Sequence, residues 1–421
     1  MHSINKYNIS TGINVYHIRD DKYKTVSMTL YINRPLSRDE ATKNALLAKV
    51  LSRGTAKYNT ISAINTHLEG LYGTLYNFDV SKKANIHSLH CSVSNISDKY
   101  TGENITAEAA VLMLDFVFDP YLVDGCFDKD YVDGEKQNLK DDIDAIINDK
   151  RSYANMRVIE EMCKGEDNAV MDCGYVEDLP KIDHKALYDH YKSIITTSPI
   201  DIYVVGEVDI EALIGVVRDY LTKFTFNIQD VKAEYAIKSA EDIRYVEEAM
   251  SVNQGKLAIG LRTGVNIDDP MYYALLVGNS IFGAGAHSKL FNNVREKLSL
   301  CYYASSRLDK FNAIMVVSSG IEFENYEKAR DEIFVQLDSV KGGDFTDDEL
   351  SIAKSFIINS YNSYLDSPYM LKDYYYSMQF SKNVCPLEEA VARVEKVSRE
   401  DVIEAMKNVC ADTVYFLKGR D

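Results

Sequence analysis

The sequence predicts an α+β fold made of two homologous domains, each a mainly antiparallel sheet packed against helices. Three observations predict it. The plan of the first half recurs in the second: at a displacement of 229 positions, Leu71-Tyr72-Gly73-Thr74-Leu75-Tyr76 falls on Leu300-Cys301-Tyr302-Tyr303-Ala304-Ser305, with a helix before this point and strands after it in both halves. Phe127-Asp128-Lys129-Asp130 opens a long helix in the first half, as Phe345-Thr346-Asp347-Asp348 does in the second. Runs of strand joined by hairpin-like breaks and followed by helices are the pattern of antiparallel sheets with helices on a face. A period this long marks a duplicated domain, not a solenoid. The expected boundaries are residues 1–225, a linker at 226–244 and a second domain at 245–421.

The elements follow in order. Ile13 to Ile18 and Val26 to Ile32 are rich in β-branched and aromatic residues, with the charged break Arg19-Asp20-Asp21-Lys22 between them, and read as strands. Over 39–52, Ala41, Ala45, Leu46, Ala48 and Leu51 approximate one face of a helix, with Gly54 as its expected C-cap. A second helix is expected at 59–71, then alternating strands at 74–81 and 86–94. Helices are expected at 106–117, 128–147, 151–163 and 183–195. Ile200 to Gly206 reads as a buried strand leading into a helix that starts near Asp209. Residues 226–244 have no clear period, which suits a linker. Tyr273 to Phe282 and Ser288 to Leu298 read as helices, and Tyr302 opens the next strand.

Composition narrows the function. With 47 Lys and Arg against 64 Asp and Glu in 421 residues, the net charge is −17. Binding to phosphates is driven by Lys and Arg, so nucleic acid is not an expected partner. An anionic membrane surface is disfavoured on the same ground. No apolar run reaches the ~20 residues that span a bilayer. The start of the chain lacks the apolar stretch of a signal peptide. Seven cysteines, an odd number without a Cys-x-x-Cys pair, fit a reducing cytoplasm rather than a disulfide framework or a cysteine-rich zinc site.

Few residues offer chemistry. No two histidines lie four apart on a helix, the usual spacing for zinc. His87 and His90, three apart in a strand beside Cys91, should point to opposite faces. His184 and His190 read as solvated helix residues. Gly283-Ala284-Gly285-Ala286-His287-Ser288 follows an apolar helix rather than a strand, which argues against a phosphate cradle. It reads as a flexible connector or as a loop that admits a peptide. Arg295 and Tyr302, seven residues apart, could together donate hydrogen bonds to the carbonyls of an extended peptide. By residue type alone they are a surface and a core residue.

The stretch from Ser288 to Tyr302 resembles the C-terminal signature of the pitrilysin/insulinase-type zinc peptidases: Ser-Arg-Leu-Phe, Arg-Glu-Lys, a Gly-Leu pair and a Tyr. The preceding Gly285 loop is similar to the family's glycine loop. Leu179-Pro180-Lys181-Ile182 with Tyr191, and Val204 to Asp209, resemble the end of the family's first domain, and Arg53-Gly54-Thr55 resembles the tail of its zinc helix. The resemblance implies two duplicated α+β domains forming half of a clamshell. It also implies a departure. The family's zinc helix carries an inverted His-x-x-Glu-His. Anchored on Gly54-Thr55, that pentad falls on Ala45-Leu46-Leu47-Ala48-Lys49, so both histidine ligands and the general base are missing. The third ligand, a Glu, falls on Asp142.

A lone carboxylate cannot hold catalytic zinc, which needs about three protein ligands. The resemblance therefore implies a chain that binds no metal and contributes no catalytic residue. Its expected role is that of a zinc-free subunit that positions substrate opposite a homologous, zinc-containing partner. Arg295, Tyr302, Gly283 and Gly285 would bind peptide backbone. Similar zinc-free bacterial members are associated with elongation factor P modification or with peptide processing. Two alternatives are a structural or assembly protein that kept the fold, and an active zinc hydrolase with ligands rearranged to His87 and His90.

Overall fold

The computed structural model describes residues 4–235 and 237–420. The chain divides into two compact units. Unit 1 comprises residues 1–144, 170–233 and 366–380, and unit 2 comprises residues 145–169, 234–365 and 381–421. The halves thus exchange segments: a helix from the first half belongs to unit 2, and one from the second half belongs to unit 1.

Unit 1 is built on strands β1 (Ile4–Ser10), β2 (Ile13–Ile18), β3 (Thr25–Pro35), β4 (Leu75–Lys83), β5 (Ile86–Ile96) and, after a two-residue hairpin of β6 (Leu122–Val123) and β7 (Cys126–Phe127), β8 (Ile200–Val205). The main sheet has the order β1-β2-β8-β3-β5-β4. Its pairings are antiparallel except β2 with β8, which run parallel from Ile13↔Ile200 to Ile18↔Val205. Side chains alternate across a strand. Met28, Leu30 and Ile32 of β3, Leu89, Cys91 and Val93 of β5, and Ile200, Ile202 and Val204 of β8 therefore share one buried face. Helices Arg38–Leu51, Ile105–Phe118, His184–Thr197 and Ile210–Leu221 supply much of the rest of that core. The helix starts are written locally: Ser37, Thr60, Asp183 and Asp209 each accept a hydrogen bond from the first turn that follows.

The opposite face is covered by the helix Pro368–Met378. Tyr376 stacks on Tyr31 at 3.6 Å and donates to Asn33 Oδ1 at 2.7 Å. Asn33 and Asn14 donate to the buried carboxylate of Asp201 at 2.8 and 3.0 Å.

Unit 2 repeats this topology with β9 (Arg244–Met250), β10 (Gly255–Arg262), β11 (Cys301–Asp309), β12 (Ile314–Ile321) and β13 (Cys410–Gly419), in the order β11-β12-β10-β13-β9. Reading both sheets from the hairpin edge, β4-β5-β3-β8-β2 matches β11-β12-β10-β13-β9, down to the single parallel pair, β9 with β13. The expected duplication is therefore present in the strand order itself. Helix Lys150–Met162 packs Ala154 and Val158 against Ala258, Tyr415 and Leu417 on one face of this sheet. Its C-terminal end is held by Arg262, which is 3% exposed and reaches Asp412 at 3.0 Å, Glu166 at 2.6 Å and the Met162 carbonyl at 2.9 Å. The remaining helices of the second half include Tyr272–Phe282, Tyr326–Lys341, Asp347–Tyr364, Leu387–Lys396 and Arg399–Lys407. A reciprocal capping box at Thr346 and Glu349 starts the long helix expected after Phe345.

Candidate functional site

The residues singled out by sequence fall into two groups, one in each unit. In unit 1, helix Arg38–Leu51 carries Asp39 and Glu40 in its first turn and Lys49 in its last, which suits the helix dipole. Its apolar face is buried, with Ala45 and Ala48 only 4% and 3% exposed. Their methyl groups belong to the core. Lys49 lies at the edge of that face, and its Nζ donates to Asp142 Oδ2 at 2.6 Å. Asp142 stands on helix Lys129–Ala145. One turn further along, Arg53 Nη1 lies 3.4 Å from Glu135 Oε1 on that same helix, and the Arg53 guanidinium stands 5.0 Å from the Tyr131 ring centre. Two ion pairs thus tie these helices together. Asp79 adds a third carboxyl: burial raises its pKa, the charge of Asp172 adds to the rise, and Lys49 opposes it.

The histidines of unit 1 do not converge. His87 and His90 point to opposite faces of β5, as their spacing requires. His87 Nδ1 meets Asn44 Nδ2 at 3.1 Å on the helical side, while His90 packs beside Tyr31 at 5.3 Å on the other. Cys91 is fully buried, and burial pushes its thiol pKa up. His190 corrects an expectation. It is not a solvated helix residue: its Nε2 lies 2.7 Å from Asn44 Oδ1, and burial lowers its pKa to about 4. Among the described residues, no group of three or more His, Cys, Asp or Glu side chains is placed to hold a metal ion.

In unit 2, the segment after helix Tyr272–Phe282 is a structured turn rather than a flexible connector. The Ser306 amide donates to the Gly283 carbonyl at 2.9 Å, and Ser288 Oγ donates to the Gly285 carbonyl at 2.7 Å. A Cβ on Gly283 would lie 2.4 Å from Ser306 Oγ and 2.7 Å from Leu290 Cδ1. Gly285 has φ of +120° and sits against His287 and Phe356. Both glycines are thus required by local packing and backbone conformation.

The expected helix after the loop is present but wound as a π-helix, Leu290–Lys297. The Leu298 amide closes it by donating to the Asn293 carbonyl at 3.1 Å, five residues back. Such winding is rare and occurs often at functional sites. Arg295 lies on it, with its guanidinium 4.6 Å from the Phe291 ring centre and Nη1 3.2 Å from Glu296 Oε1. Tyr302, in β11, is 57% exposed and donates its hydroxyl to Glu322, which raises its pKa. It is therefore a surface residue and not the core residue that its type suggested. The acidic partners were not foreseen. Glu296 is adjacent in sequence, but Glu322 is brought to Tyr302 only by the pairing of β11 with β12.

Comparison with known proteins fixes the family. Residues 181–356 match the family model described as the peptidase M16 inactive domain. The probable inactive metalloprotease YmfF of Bacillus subtilis is 35% identical over 412 residues, covering 97% of this chain and 96% of the relative.

The chain belongs to the M16 peptidase family.

Another relative, the uncharacterized zinc protease YmfH of Bacillus subtilis, is 30% identical over 154 residues, 36% of this chain and 35% of its own length. A conserved protein of Enterococcus faecalis V583 superposes with a TM-score of 0.92 at 28% identity, over 99% of both chains. A peptidase M16 inactive domain from Pseudomonas fluorescens has the same fold, with a TM-score of 0.81 at 18% identity over 99% of this chain and 98% of the other. The M16 fold, two sheet-and-helix halves of matching topology, is the one expected from the sequence. The zinc of active M16 members does not fit this chain. The positions to which the resemblance assigns the ligands offer two core methyls, Ala45 and Ala48, and an ammonium, Lys49, whose three N–H groups donate and accept nothing.

Proposed function

We propose that this chain is a non-catalytic, substrate-positioning subunit of a heterodimeric zinc peptidase. Its fold is that of an inactive M16 member. The observation that carries the reading is the contrast between the two candidate groups. The positions to which the resemblance assigns the zinc ligands carry none, yet Arg295 is partly exposed and Tyr302 is exposed, on a π-wound helix and the strand beside it. Each rests on one carboxylate, Glu296 or Glu322. Peptide carbonyls could take over those donors and align the backbone as an added strand, with little dependence on peptide sequence.

The partner would be a zinc-containing homologue, and the zinc protease YmfH is a relative of that kind. The seven cysteines are all unpaired thiols, in keeping with a cytoplasmic protein. The association with elongation factor P modification rests on the family resemblance.

Co-expression with such a zinc-containing chain tests the reading. The pair should copurify and hydrolyse peptides that neither chain cleaves alone. Arg295→Ala and Tyr302→Phe should each lower kcat/KM by about tenfold, equivalent to ~1.4 kcal/mol of transition-state stabilisation. A copurifying pair with undiminished activity in both variants would leave the chain a structural role only.

A further inference from the structure

We infer that the Lys49 ammonium is a built-in replacement for the metal ion, closing unit 1 to divalent cations while keeping Asp142 paired. This stands apart from the peptide-positioning role, because it concerns unit 1 alone and predicts metal behaviour rather than activity. Residues 45 and 49 lie one turn apart on the same face of helix Arg38–Leu51. The side chain at 49 reaches across to the helix that carries Asp142 and meets its carboxylate at 2.6 Å. Positions 45 and 49 thus share a helix face, and position 49 meets Asp142 on the neighbouring helix. The sequence delivers a methyl group at 45, an ammonium at 49 and a carboxylate at 142. The ammonium supplies the positive charge that the carboxylate would otherwise take from a cation. Lacking a lone pair, it cannot act as a ligand.

The duplicated unit closes the same helix position by other means. At the displacement of 229, Lys49 corresponds to Gly278, where an added Cβ would lie 2.7 Å from Met406 Sδ. Packing fills the position in unit 2, and charge fills it in unit 1. Only the second kind of closure leaves a carboxylate waiting behind it.

The test uses the purified full-length chain with zinc and cobalt as probes. Wild type should retain no zinc after equilibrium dialysis, and neither zinc nor a chelator should move its Tm. Lys49→His, at a partly exposed position, should gain a zinc-dependent rise in Tm of about 2–4 °C. That response should vanish when Asp142→Asn is added. Ala45→His with Lys49→His should bind close to one equivalent of cobalt, with the visible absorption of a four-coordinate site. Should the larger side chain at buried position 45 prevent folding, the single variant and its Asp142→Asn control still decide the question. Stoichiometric zinc in wild type would overturn the inference. So would a Lys49→His variant with no zinc response, or with one indifferent to Asp142.

Discussion

Single residues in unit 1 set a pH response. Burial lowers the pKa of His87, and lowers those of His90 and His190 to about 4. All three imidazoles are neutral in the folded chain at pH 7. In the unfolded chain they titrate near 6.5. Between about 6.5 and 4 the unfolded state thus binds more protons than the native one, so stability falls as the pH drops through this window. Urea unfolding at pH 7.0 and 5.0 should show a lower midpoint at the acidic pH. His90→Gln should lessen that drop, because it removes one of the protons taken up on unfolding. A drop of the same size in the variant would mean that this imidazole is not protected by burial. His90 was legible as a strand residue, but its environment was not. The Tyr31 and Lys372 groups that face it come from 59 residues before and 282 residues after it in the chain.

Among elements, the loop and π-helix from Gly283 to Lys297 depart furthest from the sequence reading. The sequence showed a glycine-rich break and a helix, but helical periodicity does not distinguish α from π winding over eight residues. It also suggested looseness, since glycine is conformationally free. The structure reverses that suggestion: neighbouring side chains leave no room for a Cβ at Gly283, and Gly285 holds a φ of +120°. Gly283→Ala should cost about 1–3 kcal/mol by overpacking against Ser306 and Leu290. Gly285→Ala should cost a similar ~1–3 kcal/mol, chiefly through its positive φ. Chemical denaturation of both variants checks this, and a change below about 0.5 kcal/mol in either would show that the loop relaxes freely.

At the scale of the whole molecule, the exchanged helices have a consequence for the linker. The chain passes between the units at 144–145, 169–170, 233–234, 365–366 and 380–381. Lys232 and Lys238 lie in the irregular segment before β9 and are well exposed, so trypsin should cut there first. The N-terminal fragment would keep helix Lys150–Met162, which packs into unit 2. The C-terminal fragment would keep helix Pro368–Met378, which packs into unit 1. The nicked protein should therefore elute as one species in native size-exclusion chromatography and separate into two bands only in denaturant. Release of two fragments without denaturant would show that the exchanged helices contribute little.

What the sequence determined by itself was local or periodic. The helices and strands and the duplication at 229 positions rest on spacing and residue type, which a linear chain displays, and the loss of the zinc ligands is what the family resemblance implies. The 2.6 Å ion pair of Lys49 with Asp142 was not foreseen and is a finding of the structure. Tertiary structure alone decided which helix covers which sheet, because the covering helices come from the opposite halves of the chain. It also decided that Tyr302 is exposed and paired with Glu322, that His190 is half-buried against Asn44, and that the glycine loop is closely packed. Each of these depends on groups distant in sequence that arrive at one place. Burial and hydrogen bonding are properties of that place and are not carried by the residue alone.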